Sequence, residues 1–238
     1  MATPSLLLLL ADGRFPAGAH AHSGGLEAAV AAGRVTDLVS LEAFLAGRLA
    51  TAGLVGAAFA AAAHRATVPG VGDAAEPARS AARSNVLARL DAELDARTAA
   101  PALRTVSRRQ GRALLRAGRA IWPDAPFGDL PATACGAHQP LVLGLLGSAA
   151  GLSRLETATV AAYGTLTGAA SAGVRLLGLD PYRVQALLVG LADACDGTAA
   201  DAAQAADDPP ERLPAAAAPL TDIHAEVHAT WEVRLFAS

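Results

Sequence analysis

Residues 154–177 read Arg-Leu-Glu-Thr-Ala-Thr-Val-Ala-Ala-Tyr-Gly-Thr-Leu-Thr-Gly-Ala-Ala-Ser-Ala-Gly-Val-Arg-Leu-Leu. No proline interrupts this run, and Ala, Leu and Arg are strong helix formers. It predicts one long, apolar helix. Its many small side chains let a neighbouring helix come close, because interaxial distance is set by the residues at the contact. Such a helix belongs at the centre of a bundle or at a subunit interface. Just before it, residues 140–150 predict a second strongly apolar helix.

The same composition extends outward. About a quarter of the residues are alanine, and β-branched runs of four or more, which strands favour, are absent. The chain therefore reads as an all-α, single-domain multi-helix bundle. Leu38, Leu41, Leu45 and Leu49 fall at spacings of three and four, one helical face. That helix should open at Thr36 or Asp37 and end near Ala52, with Gly53 and Gly56 breaking it before a further stretch to Arg65. Helices are also expected at 4–11, 24–32 with Ser23 as N-cap, 78–96 and 102–120. Asp180 and Pro181 have the chemistry of an N-cap and first turn. They should open one helix whose buried face is Val184, Leu187, Leu188, Leu191 and Cys195. Residues 1–206 form the helical domain in this reading. Residues 207–219, around Asp207-Asp208-Pro209-Pro210-Glu211, form a polar linker. Residues 220–238 form a C-terminal docking segment. Its Ile223, Val227, Trp231 and Leu235 recur every four residues, an apolar stripe on one last helix.

Several functions are excluded by composition. With 53% hydrophobic and 17% charged residues among 238, the chain is no disordered segment. A net charge of -3 argues against a general phosphate-backbone binder. All 19 basic side chains are arginine, so no lysine-dependent phosphate loop exists. Cys135 and Cys195 make neither a disulfide framework nor a zinc motif. The leucine run 6–10 and the alanine-rich run 49–63 are too short to span a bilayer, so a cytoplasmic protein is expected.

Catalytic signals are weak throughout. The DDxxE spelling at 207–211 is broken by two prolines, which forbid the shared helical face that metal-binding carboxylates need. His224 and His228 are one helical turn apart, and His20 and His22 alternate in a glycine-rich loop. Both pairs are candidate nickel or zinc ligands, since imidazole suits either metal. Two ligands alone bind weakly, and a surface or partner-facing role is the simpler reading. Asp91 and Asp95, like charges one turn apart, would mildly destabilise an exposed helix, which an acidic ridge for a partner would tolerate. Glu93 and Arg97 read as an ordinary surface pair.

The loop Phe15-Pro16-Ala17-Gly18-Ala19-His20-Ala21-His22-Ser23-Gly24-Gly25-Leu26-Glu27 resembles the opening signature of the UreF family of urease accessory proteins. The likeness continues in order through residues 90–115, through Ser171-Ala172-Gly173-Val174-Arg175-Leu176-Leu177, and into Asp222-Ile223, His228 and Arg234–Ser238. Where the family carries an aromatic pair in the first loop, this chain has Ala19-His20-Ala21-His22. The resemblance implies an all-α homodimer without enzymatic activity or cofactor of its own. It implies binding to the UreD/UreH chaperone and recruitment of the UreG GTPase. The assembly then delivers nickel to the urease apoprotein, nickel being cargo of the complex. It further implies that Ile223, Val227, His228, Trp231, Leu235 and Phe236 dock the chaperone, with Arg234 as polar anchor. The loop residues His20, His22 and Ser23 would also face a partner. The alternative is a histidine-based nickel carrier.

Overall fold

A computed structural model describes residues 4–16, 21–68 and 75–237. Among these residues there is no strand. The fold is built from α1 (Pro4–Ala11), α2 (Leu26–Ala31), α3 (Leu38–Arg48), α4 (Leu54–Thr67), α5 (Glu76–Arg97), α6 (Pro101–Ile121), α7 (Gln139–Ala149), α8 (Arg154–Leu177), α9 (Pro181–Gly190), α10 (Ala192–Ala205) and α11 (Pro219–Ala229). The all-α expectation holds.

Local chemistry sets the helix starts. Asp37 accepts from Ser40 N at 2.8 Å, and the Ser40 hydroxyl accepts from Asp37 N at 3.0 Å, a reciprocal cap on α3. Ser153 and Glu156 make the same box at α8, with contacts of 3.1 and 2.6 Å. Each such cap contributes about 1 kcal/mol. Asp180 caps α9 through Tyr182 N at 3.0 Å, as expected.

Two helix boundaries differ from expectation. Gly53 and Gly56 do not break the chain: α3 passes through a π turn at Leu49–Gly53 straight into α4. The reason is packing, since the face of α4 is buried against α7, α8 and α10 and holds the helix together across both glycines. The joined helix 38–67 is long and apolar enough by length to cross a membrane. Here Ala57, Ala58, Phe59, Ala60, Ala61 and Ala63 are buried inside the protein instead. Conversely, the single helix expected after Asp180 is two, α9 and α10, meeting at Leu191. Leu191 and Cys195 still point inward.

The core lies where α4 packs on α7, α8 and α10. Gly144 of α7 explains the close α4–α7 approach. A methyl there would collide with the Ala60 carbonyl and lie 2.6 Å from the Ala63 methyl. The small-residue α8 therefore sits centrally, with Ala158, Ala162, Leu166, Ala169 and Ala170 buried.

Buried polar groups brace this core. Asp91 and Asp95 form no acidic ridge, because both clasp Arg108 of α6 at 2.9 Å. Asp95 also accepts from His138 Nε2 at 2.9 Å, and Ser107 Oγ meets His138 Nδ1 at 2.9 Å. Arg97 is more than a surface partner for Glu93. Its guanidinium donates to the carbonyls of Pro210, Glu211, Leu213 and Pro214 at 3.1–3.3 Å and lies over the Phe59 ring. The stretch read as a linker thus lies strapped along α5, with Pro210 and Leu213 buried.

A candidate partner-docking surface

The two ends that stand out in the sequence, the glycine-histidine loop and the apolar tail, meet in space. α2 is a short helix, Leu-Glu-Ala-Ala-Val-Ala, whose first four residues are buried. Glu27 is therefore a carboxylate in an apolar face, and it must be paired. Its Oε2 accepts from His228 Nε2 at 2.9 Å and from Phe236 N at 3.0 Å, while Oε1 accepts from Leu235 N at 2.8 Å. Burial works against the Glu27 charge. The Leu235 amide, the His228 ring and the Phe236 amide outweigh it and hold the carboxyl below the usual range. Ala237 N closes the contact by donating to Ala21 O at 2.7 Å.

Ser23 contributes from within the loop. It was expected as the N-cap of a helix from residue 24. Instead Gly25, in the left-handed region, occupies the cap position and α2 starts at Leu26. The buried Ser23 hydroxyl still accepts from Glu27 N at 3.2 Å. His22 is half-buried and lines a groove beside the tail. His20 lies outside the described residues.

The expected four-residue stripe does not run along one helix. α11 ends at Ala229, and the chain turns at Thr230–Trp231. Beyond the turn the residues sort differently. Phe236 is buried, with the Arg175 guanidinium 5.1 Å over its ring. His228 is buried too, and its ring lies 4.8 Å from that of the half-buried Trp231. Ile223, Val227, Arg234 and Leu235 face outward, with Ile223 60% and Leu235 67% exposed. Val233 is the most exposed of all at 88%. The tail thus has an inner side that locks it to the domain and an outer apolar side.

Glu27 and Val233 belong to this region although the four-residue spacing does not reveal them. For Glu27 the available signal was a lone carboxylate inside an otherwise apolar helix. Glu226 adds a second anchor: its Oε1 accepts from Ala102 N at 2.7 Å and so caps α6.

The groove beside the tail has a volume of about 1380 Å³ and is lined in part by His22, Gly24, Arg48, Arg175, Thr221 and Phe236. Arg48 donates to the Gly24 carbonyl, but its enclosed Nε has no acceptor. Burial pulls its pKa down to about 10.

Chemically, the outer side offers apolar contact area and no metal-ligand or catalytic set among the described residues. His224 and His228 share α11, yet the Nε2 of His228 is committed to Glu27. No group of three His, Cys, Asp or Glu side chains is placed to hold a metal among the described residues. The Ser107–His138–Asp95 chain has the order of a hydrolase relay. Its imidazole side chain, however, has no exposed surface, and Asp95 is already engaged by Arg108. Burial holds His138 below the ordinary histidine range, which disfavours the imidazolium a general base must become.

Comparison with known proteins identifies the family. The family model described as UreF matches residues 35–192. "Urease accessory protein UreF" of Mycobacterium sp. (strain JLS) is 44% identical over 238 residues, covering all of both chains. The protein of that name from Mycolicibacterium vanbaalenii is 42% identical over the same span. That from Mycobacterium tuberculosis (strain ATCC 25618 / H37Rv) is 43% identical over 202 residues, 85% of this chain and 86% of the relative. An all-α domain of this kind, matched over its whole length, belongs to the UreF family of urease accessory proteins.

Proposed function

We propose that this chain serves urease maturation as a non-enzymatic, cytoplasmic adaptor, working as a homodimer. Its C-terminal segment binds the UreD/UreH chaperone, and the pair recruits the UreG GTPase for nickel insertion into the urease apoprotein. The observation that carries this reading is the two-sided tail. Glu27 fixes its inner side, which leaves Ile223, Val227, Val233 and Leu235 presented to solvent. Apolar side chains held rigidly outward have little ordering entropy left to lose on binding. The alternative of a histidine-based nickel carrier has less support, since His228 is occupied by Glu27.

Truncation from Arg234 would be a poor test, because it removes the buried Phe236. Val233→Asp with Leu235→Asp changes only exposed side chains. Co-expressed with the other urease maturation proteins, that variant should leave urease largely unactivated while retaining its fold. Full activation by the folded variant would contradict the tail-docking reading.

A further inference from the structure

Helix α6 carries six arginines, at 104, 108, 109, 112, 116 and 119, and no acidic residue. The fold sorts them into two sets. Arg108 is turned inward onto Asp91 and Asp95, and Arg104 onto the Thr98 and Ala99 carbonyls with Asp95 beyond. Arg109, Arg112, Arg116 and Arg119 are exposed, and none of them pairs with a carboxylate among the described residues. Their spacings of three, four and three place them on one face, about 15 Å long at 1.5 Å per residue. Arg112 is aimed by a bond to the Cys135 carbonyl.

Nothing packed nearby neutralises this stripe. α7, the main neighbour of α6, has no charged residue. In the following loop Asp129 is taken by Arg83 and Ser80, and the exposed Asp124 makes no ion pair with the stripe among the described residues. Like charges at these spacings disfavour the helix that carries them. Other exposed arginines without a carboxylate partner among the described residues, Arg34, Arg183, Arg212 and Arg234, lie singly on separate stretches of the chain, so only α6 gathers four of them on one face.

We infer that the exposed arginine stripe of α6 is a docking face for an acidic protein surface. Guanidinium forks match carboxylates bidentately and lose less solvation than ammonium groups, which suits an interface. A nucleic acid fits poorly, because the chain as a whole is acidic, with a net charge of -3. α11 packs near the start of α6, so the stripe extends away from the tail surface and leaves both faces open at once. An adaptor needs two such faces. Placing the acidic partner among the urease maturation proteins rests on the proposed function above; the charge argument does not.

The test co-expresses the full chain with a tagged UreD/UreH-type chaperone, the UreG-type GTPase and urease apoprotein. Co-purification is compared at low salt and above physiological ionic strength, where exposed charges are screened. The variant Arg109→Gln, Arg112→Gln, Arg116→Gln, Arg119→Gln should keep its helical spectrum and its chaperone. It should lose a second, salt-sensitive partner at least ten-fold, and the four Arg→Lys changes should restore part of that binding. A folded Gln variant that holds every partner as the parent does would overturn the inference alone. A parent chain that fails to hold even the chaperone would overturn the adaptor reading and this inference with it. Binding of a short DNA duplex that the parent shows and the Gln variant lacks would assign the stripe to nucleic acid and overturn the acidic-protein partner.

Discussion

Glu27 and His228 lie 201 residues apart in the chain and 2.9 Å apart in the fold. Their contact joins α2 near the start of the chain to α11, the last helix. The Leu235 and Phe236 amides complete the shell around the same carboxylate. Removing the acceptor would leave three donors with no partner. Glu27→Ala should therefore lower stability by at least about 3 kcal/mol, given about 1–3 kcal/mol for each of the three donors left unpaired. Glu27→Gln should cost less. Hydrogen exchange should show rapid opening of residues 231–237 in the Ala variant while the α4, α7 and α8 core stays protected.

Acid should loosen the molecule in two stages. His64 and His138 are held by burial below the ordinary value of 6.5, so the unfolded chain takes up their protons first. Their neutral forms contribute stability above pH 6.5, and it is lost as pH falls below that value. Glu27 and Asp95 are held below their ordinary values of 4.5 and 3.8, so their contribution is full above those values and disappears at lower pH. Thermal melts should be nearly flat from pH 7 to 8, decline gently below 6.5 and steeply below 4.5. His64→Gln should shrink the gentle decline, because Gln can still donate to the Leu152 carbonyl without titrating.

Glycines of two kinds should respond oppositely to a methyl group. Gly144→Ala meets the α4 backbone at Ala60 and His64, which has no room to yield, so a loss above about 3 kcal/mol is expected. Gly164→Ala on α8 meets nothing within 4 Å and should raise stability by about 0.5–1 kcal/mol. Denaturant titrations of both variants provide the check. A neutral Gly144→Ala would mean that α4 and α7 are farther apart than described.

Arg97 should act as a clamp. Its donors hold four carbonyl groups of the 210–214 strap, all but that of Arg212, against α5. Arg97→Lys cannot replace a planar fork with several donors, so exchange of amides 208–216 should quicken by ten-fold or more. Arg89→Gln, which breaks only an exposed pair with Glu211, should change little.

Much of this fold is legible in the sequence because its signals are local. Asp37, Asp180 and Pro181 mark helix starts by chemistry that acts within a turn. The alanine and glycine density of α8 similarly announces its central place. The misreadings come from tertiary forces. Gly53 and Gly56 look like breaks, but the helix runs on through a π turn at Leu49–Gly53 into α4, whose face is buried in the core. Four-residue spacing from Ile223 to Leu235 looks like one helix. Capture of the Leu235 and Phe236 amides by Glu27 ends it early and sends Phe236 inward. The sorting of the α6 arginines is equally invisible in one dimension, because Arg108 and Arg109 are adjacent and point to different fates.

The most direct measurement of the central claim is light scattering on a size-exclusion column, with the purified chain and its UreD/UreH-type chaperone. The parent chain should shift into a larger, stable complex. The variant Ile223→Asp, Val227→Asp, Leu235→Asp alters only the outer side of the tail and should stay unshifted while keeping the parent's circular dichroism and protection around Glu27. A complex formed equally well by that folded variant would contradict the account, and would place the chaperone on some other face of the domain.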